Sequence, residues 1–572
     1  MMKKINKYYS IAFICSFILF FSCETIELDK SSDPNALSTD QTNVDFFLNS
    51  IEEDFVRQLD GDGDYDDNDN FSSGGNTNGD GFNLFGMQLT RMTNLNGRNY
   101  NSAYQPIDGD DEWRNAYKGI LLDIRLMTPL ALESGQTRHI GIAQFIEAYT
   151  MVTLVDFFGD VPYADALKGL DGVLNPTVES GASIYDSALV LLDNAITNFS
   201  NTTTAEPANE VFYNNDYTKW VKAANTLKMK IYLQRRLVDA SAIASFNAIV
   251  ATGNYISSAA DDLQYNWPAT SATNPDTRHP RYGLNYTPTG AGDYLSNWFM
   301  NLMDVNNDPR RLYYFFRQTD AVPGAEIDPN EETLSCSLES APAHYVNGNF
   351  TFCYLNNGYW GRDHGDDDGV PPDGNLRTTF GVYPAGGSFD DERFEAIGLG
   401  DGGAGKGITP ILLSSFVDFM KAEVAMVQGN INDAKTFMSA GIQKSMDKVK
   451  TFAVLDPDAD LTKEPAASDF TDYLTSVETA YDATTSVADK WNIISEQYFI
   501  ALFGNGVESY NYYRRTGYPT SLQPNIEPNP GIFIRSLFYP ANVVNTNSNV
   551  SQKSDQAQPV FWDTNATAPA AN

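Results

Sequence analysis

The sequence predicts a mostly α-helical protein: a tetratricopeptide-like helical-repeat scaffold carrying a large loop-rich insertion with short β pieces. Three observations carry this. Long stretches place apolar residues one helical turn apart and follow one another as pairs with short hinges. Between about 251 and 407 that period fades into Gly, Pro, Asn and aromatic residues. The composition, 42% hydrophobic and 13% aromatic over 572 residues, can bury a sizeable core. No strict period of about 34 residues is legible, so the prediction rests on the pairing of helices.

Residues 1–22 read as a lipoprotein signal peptide. Lys3, Lys4 and Lys7 precede an apolar run over 11–21, and Ser22-Cys23 supplies a small residue before the cysteine to be acylated. The run is shorter than the roughly 20 residues that span a bilayer. Residues 23–42 form a polar tether with Glu24, Glu27 and Asp29, broken at Asp33-Pro34-Asn35. A single domain then covers 43–572, its helical scaffold over about 43–250 and 408–520 and its insertion over about 251–407.

Helical spacing begins near Val44 with Phe47, Ile51 and Phe55. After a Gly/Asp/Asn loop over 60–80, helices are predicted over 112–132 (Trp113, Ala116, Tyr117, Ile120, Ile124) and 136–158 (Ile142, Phe145, Ile146, Tyr149, Val152). Gly159 and Pro162 stop the second. Further pairs fall over 183–199 with 216–238, 409–428 with 431–448, and 489–503 with 507–514, hinged at Gly429-Asn430 and Gly504. The last thirty or so residues, ending in an Ala/Pro run, read as a disordered tail.

Acid dominates the charge: 74 Asp plus Glu against 38 Lys plus Arg, a net of -36. Such a field repels phosphate backbones and excludes nucleic acid as a partner. Of four cysteines, Cys15 leaves with the signal and Cys23 takes the lipid. Cys336 and Cys353, too few for a zinc site, suggest one disulfide closing a local hairpin in an exported protein.

The chemical motifs are weak. Asp60, Asp62, Asp64 and Asp66, followed by Asp67 and Asp69, alternate as a calcium site needs. Tyr65 and Phe71 stand where an EF-hand loop has Gly and Glu, so a solvated acidic loop is the plainer reading, with structural calcium the alternative and no cofactor required. Gly398, Gly400 and Gly403 match G-x-G-x-x-G, but Gly407 replaces the Ser or Thr that a phosphate loop needs, which leaves a flexible linker into the next helix. His139, His279, His344 and His364 are scattered, without metal or triad spacing.

Aromatics are more informative. Trp113, Trp220 and Trp491 open helices and read as core, whereas Trp267, Trp298, Trp360 and Trp562 fall in irregular segments. Tyr354, Asn356, Asn357, Tyr359, Trp360, Arg362 and Asp363 crowd one short stretch of the insertion. Flat rings beside amides and charges are what a sugar ring or a peptide requires. These seven, with Trp267 and Trp298, are the candidate ligand-binding residues, and Trp360 is the expected stacking platform.

Five stretches resemble the SusD/RagB family of surface lipoproteins from Bacteroidetes, and the resemblance runs almost end to end. They are Trp113-Arg114-Asn115-Ala116-Tyr117, 155–163 (Val-Asp-Phe-Phe-Gly-Asp-Val-Pro-Tyr), 220–228 (Trp-Val-Lys-Ala-Ala-Asn-Thr-Leu-Lys), Ala422-Glu423 with Gly429 and Ala434, and 514–519 (Arg-Arg-Thr-Gly-Tyr-Pro) echoed at Phe538-Tyr539-Pro540. The resemblance implies a binding protein rather than an enzyme. It implies an outer-membrane lipid anchor, cell-surface exposure and a SusC-like TonB-dependent barrel as partner, over which the lipoprotein sits as a lid capturing oligosaccharides for uptake. A peptide-binding lid and an assembly subunit without a ligand are the alternatives.

Overall fold

The computed structural model describes residues 43–61, 81–95, 97–269, 276–287, 292–322, 334–367 and 376–565. The fold is mostly helical. Helix α1 (Val44–Asp60) starts where the Asn43 side chain accepts from the Asp45 amide, and it buries Leu48, Ile51, Phe55 and Leu59 on one stripe. Helix α2 (Gly81–Leu89) is buried on every side. A short turn over Asp110–Arg114 runs through a π-helical segment, Asn115–Leu121, into α3 (Leu122–Ser134), so the helix expected over 112–132 is wider in its middle than a regular one.

Helix α4 (Thr137–Phe158) is the centre of the first half. It is apolar enough around its circumference to pass for a membrane span, and it is instead wrapped by protein. Helix α5 (Gly181–Ser200) packs along it, then α6 (Tyr217–Gln234) and α7 (Ala242–Thr252) continue the layer. A two-residue ladder, β1 (Val161–Pro162) with β2 (Val178–Glu179), closes the loop after α4.

The insertion is pinched at its base by an antiparallel ladder between β3 (Leu263–Asn266) and β6 (Ile408–Leu412), with Asn266 opposite Ile408 and Leu263 opposite Leu412. The second half stacks α9 (Ser414–Val427), α10 (Ile431–Val449), α11 (Ala467–Ala483), α12 (Val487–Ala501) and α13 (Gly506–Thr516). Helix α13 returns to the first half and crosses α2 with its backbone in contact. A Cβ on Gly86 would lie 1.9 Å from the Gly506 carbonyl oxygen, so only glycine permits this approach. Between the ladder's strands sit α8 (Asn297–Val305) and the short pair β4 (Phe315–Phe316) with β5 (Thr379–Phe380).

Four expectations are corrected. Residues 408–412 are a strand and not the start of a helix, because the β-branched Ile408, Thr409 and Ile411 suit the ladder to β3, in which Pro410 has no N–H to donate. The glycines before it are not a loose linker: the Gly403 amide donates to the Gly387 carbonyl at 2.9 Å, and a Cβ on Gly402 would lie 2.2 Å from Gly387. Helix α11 was missed, since its apolar positions Phe470, Tyr473, Val477 and Tyr481 sit among Asp, Thr and Ser. The C-terminal segment is ordered through Asn565: the fully buried Trp562 donates to Asp156 at 2.9 Å beneath the Arg514 guanidinium.

One hydrophobic core runs from Val44 to Trp562. The insertion joins it through aromatic rings rather than aliphatics, with Phe503 at the end of α12 stacked on Tyr314 and Phe380 at 4.8 and 5.5 Å. A buried charge network ties the layers. Glu423 of α9 receives both Arg515 of α13 at 2.8 Å and Arg236 after α6 at 2.9 Å. Glu508 adds a contact to Arg515 at 3.1 Å and to Lys230 at 3.3 Å.

Candidate functional site

The residues expected to form one site separate into two places. The stretch from Tyr354 to Asp363 folds as a plinth whose chemistry points inward. Asn357 with φ 63° and Gly358 with φ 83° turn the chain, and the Leu355 amide donates to the Tyr359 carbonyl at 3.0 Å. Asn356 and Asn357 stand exposed at that turn and Tyr354 is half-buried beside it. Tyr359 is buried beneath the Arg317 guanidinium, 5.0 Å from its ring centre.

Trp360 overturns the expectation of a stacking platform. It is 0% exposed, packed with Leu334 and Cys353, and its indole donates to the Ala321 carbonyl at 3.1 Å. In a region poor in aliphatics a large ring beside the Cys336–Cys353 disulfide becomes local core. Those two sulfurs are bonded. Arg362 and Asp363 are also buried. Arg362 lies over the Tyr294 ring at 4.5 Å and faces Asp366 at 3.5 Å. Asp363 accepts from the Cys353 amide at 2.6 Å, Asn297 at 3.1 Å and Gln523 at 2.8 Å. Burial pushes its carboxyl up to about 6, against those hydrogen bonds. Trp298 proves to sit on helix α8, buried, donating to the Ser521 carbonyl at 2.7 Å.

Trp267 is different. It follows β3, is itself only 6% exposed, and lines an open cavity of about 550 Å³. Trp267, Pro268, Phe452 and Leu455 give the wall its apolar surface, while Gln264, Asn266, Lys406 and Lys448 bring polar groups. Three distant segments meet there: the end of β3, the start of β6, and the residues around the end of α10. The ladder makes this meeting possible, because the Trp267 amide donates to the Gly407 carbonyl at 3.0 Å, one step beyond the Asn266–Ile408 pair.

The indole is fixed from behind. Its Nε1 donates to the Thr409 hydroxyl at 2.9 Å, and that hydroxyl donates on to Asp60. Asp60 also accepts from Asn83 at 2.8 Å, and His279 Nε2 lies 3.8 Å away. Burial raises the Asp60 carboxyl to about 6, against the Thr409 and Asn83 hydrogen bonds, and drives His279 down to about 3. Asp60, expected as the first ligand of an acidic loop, is therefore the buried last residue of α1, with both oxygens occupied. Asp62, Asp64, Asp66 and Cys23 lie outside the described residues. Among the described residues no group of three or more His, Cys, Asp or Glu is placed to hold a metal ion.

Gln264, Asn266, Lys406, Lys448, Phe452 and Leu455 escaped sequence reasoning. Gly407 enters the sequence reading only as a position of a phosphate loop, and nothing local links it or Lys406 to Trp267. Their pairing is a tertiary fact.

The fold and the order of its motifs agree with known proteins. Two family profiles match in succession: "Starch-binding associating with outer membrane" over residues 67–328, and "Susd and RagB outer membrane lipoprotein" over 407–562. The chain belongs to the SusD/RagB family. A SusD/RagB family protein from Bacteroides thetaiotaomicron superposes with a TM-score of 0.65 at 16% identity, over 92% of this chain and 100% of that one. A SusD homologue from Bacteroides fragilis gives 0.61 at 16%, over 91% and 100%. A chitin-binding SusD homologue from Flavobacterium johnsoniae gives 0.60 at 15%, over 92% and 99%. At these identities the likeness is one of fold. No curated protein matches the chain.

Proposed function

We propose that the protein is a glycan-binding lipoprotein of the outer cell surface, anchored through Cys23 and serving a SusC-like TonB-dependent barrel as its substrate-capturing lid. Family membership across both halves of the chain carries this reading. The cavity at Trp267 supports it, since an indole wall with amide and ammonium groups at its edge suits a sugar's apolar faces and hydroxyls. A relative described as chitin-binding shares the fold. The role is capture rather than chemistry, so bound oligosaccharide leaves unaltered.

Calorimetric titration of the mature protein against oligosaccharide and peptide panels tests the cargo. Saturable binding of an oligosaccharide without turnover is the expected result. Peptide binding alone would move the assignment to the peptide-capturing alternative, turnover would make it an enzyme, and silence from both panels would favour an assembly subunit. Co-purification of a barrel with the wild-type protein, lost for Cys23→Ser together with outer-membrane fractionation, tests anchor and partner. A Cys23→Ser protein that stays in the membrane in cells lacking the barrel would refute lipidation.

A further inference from the structure

The wall of the Trp267 cavity has a charge opposite to that of the chain around it. The molecule carries 74 acidic and 38 basic residues, yet the twelve residues lining the cavity include two lysines and no carboxylate. The two lysines are not equivalent. Lys448 is largely buried against Asp262, whose carboxylate it meets at 2.7 Å, and it also donates to Gln264, so its charge is balanced within the protein. Lys406 is exposed, and among the described residues no ion pair, side-chain hydrogen bond or ring face engages its ammonium.

The backbone that carries Lys406 is nevertheless fixed. Its amide donates to the Gly403 carbonyl at 3.0 Å, the next residue's carbonyl accepts from Trp267, and the Ile408 amide donates to Pro384 at 2.8 Å. A cation on a rigid base therefore shares the cavity wall with an indole and two amides, with its charge uncommitted. An exposed ammonium in that position can pair with an anionic group of a ligand seated in the cavity.

We propose that Lys406 is a specificity residue that pairs with an anionic group, carboxylate or sulfate, on a sugar of the captured oligosaccharide seated against Trp267. This rests on the glycan-binding reading above and narrows it to acidic glycans.

The test uses the mature full chain and two matched pairs of probes: an oligogalacturonate with its carboxyl-reduced neutral form, and a sulfated oligosaccharide with its desulfated form. In at least one pair the anionic member should bind about ten times more tightly, and moderate salt should weaken that member alone. Lys406→Gln should remove the preference while leaving the melting temperature unchanged, because the side chain is exposed. The pair that responds tells carboxylate from sulfate. Neutral members binding as well as anionic ones, or a preference that survives Lys406→Gln, would overturn the inference while leaving the glycan-binding function intact. Peptides binding in place of every oligosaccharide, or no oligosaccharide binding at all, would remove both.

Discussion

Trp360 and Trp267 show how a residue's type leaves its role open. Both are tryptophans in irregular segments of the insertion, yet one fills local core and the other walls a cavity. Truncating a fully buried Trp removes many contacts and leaves a void, so Trp360→Ala should cost about 3–5 kcal/mol of stability. Denaturant unfolding measures this, and a variant as stable as wild type would contradict the packing seen here. The same argument explains why so little of the candidate site was legible. Asn356, Asn357, Tyr359, Trp360, Arg362 and Asp363 were grouped by sequence proximity, but the turn at Asn357-Gly358 leaves the amides in solvent and the following residues buried. Trp267, a ligand-binding candidate on its irregular sequence neighbours alone, lines the cavity. Its partners Lys406 and Phe452 come from far along the chain.

At the scale of elements, two connections hold the insertion and the helical layers in place. The Cys336–Cys353 disulfide spans a separation of 17 residues, and closing such a loop restricts the unfolded chain by about 3 kcal/mol in the entropy model. Replacing both cysteines with serine should therefore lower the unfolding midpoint, and unreduced peptide mapping should find the bond in exported protein. Two free thiols there would exclude it. The Glu423 network joins α6, α9 and α13. Burial alone would raise the Glu423 carboxyl, but Arg515 and Arg236 outweigh it and hold the group below the usual range. Glu423→Gln leaves two guanidiniums without their carboxylate, so a loss of about 3–5 kcal/mol is expected from chemical denaturation. A loss under 1 kcal/mol would mean that water reaches the site.

The molecule as a whole should grow more stable as mild acid is added. Burial raises Asp60 and Asp363 to about 6 and Asp54 to about 7, the last with help from Asp123 and Glu53. Glu52 is pushed well above its ordinary range by burial and by Glu210. Each of these binds its proton more tightly folded than unfolded, so its ionisation opposes folding as pH climbs from about 4 to 7. His279 and His364 act the other way, since burial keeps them neutral in the fold and the unfolded chain alone takes up protons below about 6.5. Asp156, Asp390 and Glu496, also raised by burial, act with these carboxyls, while Lys553, lowered to about 7 by burial, acts with the imidazoles. The carboxyls outnumber the opposing groups and leave a net gain on acidification, to which falling self-repulsion in a chain of -36 adds. The melting temperature should be higher at pH 5 than at pH 7.5. Scanning calorimetry at the two pH values decides, and the reverse order would mean that the histidines and Lys553 dominate.

The sequence by itself determined the helical class, the pairing of most helices, the acidic charge balance and the membership of the SusD/RagB family. Each follows from period, composition or ordered motifs that are local in the chain. Only the tertiary structure decided which aromatics are core and which face a cavity. It also decided that 408–412 is a strand, that Asp60 is a buried acceptor and that Trp562 seals the core from the C-terminal end. Those outcomes depend on what a residue meets across the fold, and the β3–β6 ladder brings Trp267 and Lys406 together across more than a hundred intervening residues.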